Sequence, residues 1–157
     1  MTQSFVMDQA EIQRILPHRY PCLLVDRVTE FVPARRIAGV KTFTANERFV
    51  PGHFAGAPMV PCSVLLEMTT QLGAILVLER PEMAGKIAVI LQIPSAQMHA
   101  TAEPGDRLRA EAEVLKLKEN FGELQGKVFR GGELIAEGRM RFAIANAGDM
   151  VKGQLAG

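Results

Sequence analysis

The sequence predicts an α+β domain in which a curved antiparallel sheet wraps one long central helix. Three observations carry that prediction. The run from Cys62 to Glu79 is apolar on nearly all sides, so it has to be enclosed rather than laid on a surface. After it come three or four long runs with strand-type patterning. The chain of 157 residues has the size of one domain with a real core, and no linker or internal repeat divides it. A single sheet of this length encloses such a helix only by curving strongly, so a partner subunit that extends the sheet is expected.

Each element has its own signal. "DQAEIQRILP" carries Ala10, Ile12, Ile15 and Leu16 and stops at Pro17, which predicts a short helix. "CLLVDRVTEFV" and "RIAGVKTFTA" are β-branched and aromatic runs separated by Pro33-Ala34, a pair of strands. "NERFVPGHFAGAPMVP" contains Pro51, Gly52, Gly56, Pro58 and Pro61 and reads as irregular loop. The central helix starts at Ser63 or at the Pro61-Cys62 junction, since proline favours a helix start, and ends before Pro81. "KIAVILQIPSAQMHA" is apolar and then mixed, and "DRLRAEAEVLKLKEN" alternates apolar with charged residues. "LQGKVFRGG" and "ELIAEGRMRFAIA" meet across Gly131-Gly132, a hairpin signal. The domain is expected to span residues 1–146, with 147–157 a disordered tail.

Composition excludes several classes. The apolar fraction is 48% and the charged fraction 22%, as in ordinary soluble globular proteins. Eighteen basic and 17 acidic residues give a net charge of +1, which offers no electrostatic case for nucleic acid or an anionic membrane surface. Cys22 and Cys62 form neither a metal-type spacing nor a disulfide framework, and fit a reducing compartment. "MTQSFVMDQAEI" lacks the basic start of a secretory signal, and the apolar run Val64 to Leu78 is too short and too interrupted to span a bilayer. A cytoplasmic location is the expectation.

Chemistry concentrates between Gly52 and Gln71. Ser63, Glu67, Thr70 and Gln71 follow at steps of 4, 3 and 1, so they share one face of the central helix. A carboxylate in so apolar a run faces solvent, is paired structurally, or sits in a cavity as a proton-transfer group, where burial raises its pKa. A lone Glu on a helix is most often solvated, and a lone His in a Gly/Pro loop is most often a turn residue. The combination singles out His53 and Glu67: a base-type side chain in the loop, a helix N-terminus with free N–H groups, and an acid one face down that helix. His18 and His99 have no acidic or nucleophilic neighbour in sequence and are read as structural.

These residues resemble a known family. Gly52-His53-Phe54, Gly56, Pro58 and Pro61, then Glu67 fourteen residues after the histidine and Gln71 four later, follow the pattern of the 3-hydroxyacyl-acyl-carrier-protein dehydratases of the FabZ/FabA type. "ILPHRYPCLLVDRV" and "PGDRL" extend the similarity over most of residues 11 to 145, and Glu rather than Asp at 67 favours the FabZ branch. Two positions depart from the pattern: Cys62 stands where the family has glycine, and Ala57 where it has His, Lys or Asp. The basic residues common near "AQMHA" are also missing.

The resemblance implies a hot-dog fold and dehydration of a 3-hydroxyacyl thioester to a trans-2-enoyl thioester. His53 would be the base, the Cys62 backbone N–H would bind the thioester carbonyl, and Glu67 would protonate the leaving hydroxyl, with Gly52, Phe54, Gly56, Pro61 and Gln71 supporting the site. It implies no metal and no organic cofactor. The partners would be an acyl-carrier-protein or coenzyme A thioester and a second copy of the chain, in a homodimer or a larger assembly such as a trimer of dimers, with His53 and Glu67 meeting across the interface. Two alternatives stand beside it: a hot-dog acyl thioesterase, and a non-catalytic acyl-binding subunit.

Overall fold

A computed structural model describes residues 6–150. The chain opens with helix α1 (Gln9–Ile15), which begins for a local reason. Asp8 accepts the Glu11 N–H while the Glu11 side chain accepts the Asp8 N–H, a capping box that satisfies two orphan donors at once. Strands β1 (Arg27–Val32) and β2 (Arg36–Thr42) follow as an antiparallel pair. The first strand starts at Arg27 rather than at Cys22: the Leu24 N–H and the Cys22 carbonyl bond to Gln71, so this stretch is tied to a helix and not to a neighbouring strand.

Helix α2 (Cys62–Leu78) is the central helix, and every residue from Leu65 to Leu78 except Glu67 is buried. It touches β2 and all four later strands: β3 (Lys86–Met98), β4 (Arg107–Lys118), β5 (Phe121–Arg130) and β6 (Glu133–Asn146). The six strands make one antiparallel sheet in the order β1-β2-β4-β5-β6-β3, curved around α2 as a hot-dog fold requires. β5 and β6 turn through Gly131-Gly132, and Gly131 supplies the positive φ of +59° that the first loop residue of such a hairpin needs.

Helix and sheet approach closely because glycine stands at the crossings. A Cβ on Gly126 of β5 would overlap the buried Thr69 side chain, and one on Gly73 of α2 would lie 2.5 Å from Leu124 Cδ2. The core between them is Leu65, Met68, Leu72 and Ile75 of α2 against Leu108, Leu124, Val128 and Met140 of the sheet.

The edge at β3 is uncovered. Residues 91–97 are exposed there, Leu91 and Ile93 at 48% and 52%, and no charged side chain lies between Ile87 and Met98. Pro94, which has no N–H to donate, sits where the β3–β6 register slips between Gln92 and Ser95.

At the C-terminal end the expectation of disorder from residue 147 onward does not hold for its first part. Ala147–Met150 form a short helix, α3, because the Ala147 N–H bonds to Gly85 and Asn146 Nδ2 bonds to Asp149. Residues 151–157 lie outside the described part.

Candidate active site

The loop before α2 is built to hold His53. Its ends are fixed by Lys41, only 9% exposed, whose ammonium contacts Glu47 at 2.7 Å, and by the edge-on pair Phe43–Phe49. Within it Gly56 takes a φ of +80°, a conformation that suits glycine. The Met59 N–H donates to the His53 carbonyl at 2.9 Å, and the Met59 carbonyl lies 3.2 Å from His53 Nδ1. A carbonyl can only accept, so Nδ1 carries the ring proton and Nε2 keeps its lone pair. That is the tautomer a general base requires. Phe54, 58% exposed, stacks on the imidazole with centroids 4.2 Å apart.

Pro61 ends the loop and caps α2 without any side-chain hydrogen bond. Its carbonyl takes the Val64 and Leu65 N–H groups, which leaves those of Cys62 and Ser63 unused by the helix. Both point out of a helix N-terminus, where the macrodipole favours negative charge on an incoming oxygen. Among the described non-glycine residues only Ala34 and Glu119 have positive φ, so cysteine at position 62 is unstrained and keeps its N–H. Burial pushes the Cys62 thiol above its ordinary value.

The polar face expected on α2 assembles around Glu67. The Thr70 hydroxyl lies 2.9 Å from Glu67 Oε2 and 2.8 Å from the Glu67 carbonyl. Gln71 Nε2 donates to Glu67 Oε1 at 3.0 Å and to the Cys22 carbonyl at 2.7 Å, and Gln71 Oε1 accepts the Leu24 N–H at 2.8 Å. That last bond settles which way the amide points: Oε1 is the acceptor, so Nε2 is the donor that holds Glu67. The network serves both protonation states. The carboxylate accepts from Thr70 and Gln71, while in the acid the Thr70 proton turns to the backbone carbonyl and its oxygen receives the carboxyl proton.

Glu67 is not sealed in the core: its side chain is 42% exposed in the single chain. With His18, Thr70 and Gln71 it forms the polar end of a cavity of about 230 Å³, whose remaining wall is apolar, including Gly73, Ala74 and Val77 of α2 with Ala88, Leu124 and Phe142 of the sheet. His53 is not among the residues that line this cavity. Ser63, at the start of the polar face, is exposed and takes no part.

Two histidines read from sequence as structural have acidic neighbours after all. His99 Nε2 lies 3.0 Å from Glu137 Oε1 across the β3–β6 end of the sheet. More important, His18 Nε2 lies 3.7 Å from Glu67 Oε1. Forty-nine residues separate them in sequence, and no local pattern could have joined them.

Comparison with known proteins identifies the family. Residues 16–139 match the family described as FabA-like domain. A protein of Desulforamulus reducens named 3-hydroxyacyl-[acyl-carrier-protein] dehydratase FabZ is 45% identical over 139 residues, covering 88% of this chain and 98% of its own. One of the same name from Moorella thermoacetica is 44% identical over 138 residues, covering 88% and 96%. Among solved structures, the dehydratase heterocomplex ApeI:P from Xenorhabdus doucetiae superposes with a TM-score of 0.76 at 17% identity, covering 90% of this chain and 95% of that one. A hypothetical thioesterase with coenzyme A from Streptococcus pneumoniae gives 0.58 at 10% identity, covering 76% and 84%. At such identities the two structures speak to the fold alone. The family match and the FabZ relatives, which align along nearly their whole length, decide the matter: the chain belongs to the FabA-like family, as a FabZ-type 3-hydroxyacyl-acyl-carrier-protein dehydratase.

Proposed function

We propose that the protein removes water from a 3-hydroxyacyl thioester to give a trans-2-enoyl thioester in fatty-acid or related acyl-chain biosynthesis. The acyl group would arrive on acyl carrier protein or on coenzyme A. The observation that carries this reading is Glu67, a carboxyl oriented by Thr70 and Gln71 at the polar end of an apolar cavity along α2. An apolar cavity wall suits an acyl chain, and a carboxyl that works in either protonation state suits proton transfer.

His53 Nε2 takes the α-proton, and the electron pair moves into the carbonyl. The oxygen that gains charge lies at the N-terminus of α2, against the Cys62 N–H. Collapse of that charge forms the C2–C3 double bond and breaks C3–O, and Glu67 supplies the proton that lets the oxygen leave as water. One proton is taken and one returned, so the elimination calls for neither metal nor organic cofactor.

His53 and Glu67 are read as contributed by opposite protomers of a homodimer. The absence of His53 from the wall of the Glu67 cavity supports this, as does the uncovered apolar β3 edge, on which a second β3 can pair. Larger assemblies of such dimers, and a cytoplasmic location, belong to the same reading. No helix among the described residues is long and apolar enough to cross a membrane.

His53→Ala and Glu67→Gln should each cost about 10²–10⁴ in the rate of enoyl thioester formation followed by ultraviolet absorbance. Unfolded together in equal amounts and refolded, the two inactive variants should regain roughly one quarter of wild-type activity, because each mixed dimer rebuilds one intact site. Recovery of nothing would refute the shared site. Thiol release without enoyl formation would identify a thioesterase instead.

A further inference from the structure

We propose that His18 is a further catalytic residue, seating the departing oxygen of the substrate jointly with Glu67. The inference rests on the reading of Glu67 as the acid of the dehydration.

The distance from His18 Nε2 to Glu67 Oε1, 3.7 Å, is too long for a hydrogen bond between them. It is the right separation for a third atom: one oxygen can lie about 2.8 Å from both. Both groups line the same end of the cavity, so that oxygen would occupy the space where an acyl chain begins.

The other ring nitrogen says which way the proton points. His18 Nδ1 is shut off from solvent with no hydrogen-bond partner among the described residues. A buried acceptor without a partner is tolerated better than a buried N–H without one, so the proton sits on Nε2, facing the cavity.

The loop that carries His18 is fixed from both sides. Arg19 reaches back to the Leu16, His18 and Gln13 carbonyls at 2.7, 2.7 and 2.9 Å, and Gln71 grips Cys22 and Leu24 on the other side. The same Gln71 orients Glu67, so one amide ties the segment following His18 to the carboxyl that His18 faces.

During elimination the C3–O bond breaks with its electron pair on oxygen. Glu67 gives that oxygen its proton, forming water, while the His18 Nε2–H hydrogen bond carries part of the charge until the proton arrives. His18 keeps its own proton throughout. In the reverse direction the same two groups orient the attacking water.

The test compares His18→Ala and His18→Gln with wild type on two substrates, a 3-hydroxyacyl thioester and its 3-chloro analogue, whose chloride leaves without a proton. His18→Ala should lower kcat about 10²-fold on the hydroxy substrate, the low end for losing one preorganised donor, with KM little changed. His18→Gln, which keeps an N–H donor, should recover most of that loss. On the chloro substrate the loss should be much smaller. Unchanged kcat on the hydroxy substrate, or equal losses on both, would overturn the proposal, and melting temperatures identify a variant that is merely misfolded. Glu67→Gln keeps the two ideas apart. If it retains turnover of the hydroxy substrate, the acid assignment fails. If it is inactive while His18→Ala is not, only the role of His18 fails.

Discussion

Gln71 holds the site together, and its replacement gives a sharp test of the structure. It is 1% exposed and makes three hydrogen bonds, to the Leu24 N–H, the Cys22 carbonyl and Glu67 Oε1. Gln71→Leu preserves volume and removes all three, so a cavity contributes little to the cost. The partners fare differently. Cys22 is exposed and Glu67 is half-exposed, so both recover water. Leu24 is 4% exposed, and its N–H is left buried without an acceptor. One such orphan costs about 1–3 kcal/mol, which for a chain of this size lowers the melting temperature by roughly 4–8 °C at the middle of that range. Glu67 also loses one of its two donors, with Thr70 the one that remains, so kcat should fall at least about tenfold.

Gln71→Glu sharpens the expectation. One carboxylate oxygen can still accept from Leu24, but the other faces the Cys22 carbonyl and the Glu67 carboxyl, acceptor against acceptor. Folding should therefore hold the new carboxyl protonated, with its pKa raised above the unfolded value. The sign follows: the variant is most stable at low pH and loses stability as pH rises through the folded-state pKa. Urea unfolding at fixed protein concentration, at pH 5 and pH 8, reads both effects. Gln71→Leu within about 0.5 kcal/mol of wild type, the range of ordinary surface changes, would refute the role given to the Leu24 bond. So would Gln71→Glu with no pH dependence beyond wild type.

Two further outcomes follow from the packing. Gly126→Ala drives a methyl group into buried Thr69, whose hydroxyl is already committed to the Leu66 carbonyl; it should cost about 1–3 kcal/mol in urea unfolding, and a neutral result would mean that α2 can move off β5 freely. The Cys62 thiol, raised by burial, should react with iodoacetamide along a pH profile whose midpoint lies above that of exposed Cys22 in the same protein, measured by mass spectrometry; a midpoint at or below that of Cys22 would show the thiol to be solvated.

The features legible in the amino-acid order are local in character. The stop at Pro17 closes α1, Gly131-Gly132 marks the β5–β6 hairpin, and the Pro61-Cys62 junction marks the start of α2. The steps of 4, 3 and 1 that align Ser63, Glu67, Thr70 and Gln71 predict a polar face, and three of the four do hydrogen-bond there. Such signals survive without a structure because turn chemistry and helical period act over a few residues. The remaining features arise from long-range packing. It brought His18 to Glu67, tied Gln71 to Cys22 and Leu24, and required Gly126 beneath Thr69. Each of these joins elements far apart in the chain, where nothing local records which partner will arrive. It also left Glu67 half-exposed at the end of a cavity rather than buried in a core. Periodicity can give the side of a helix on which a carboxyl lies. What lies opposite that side is set by how the sheet curves around the helix.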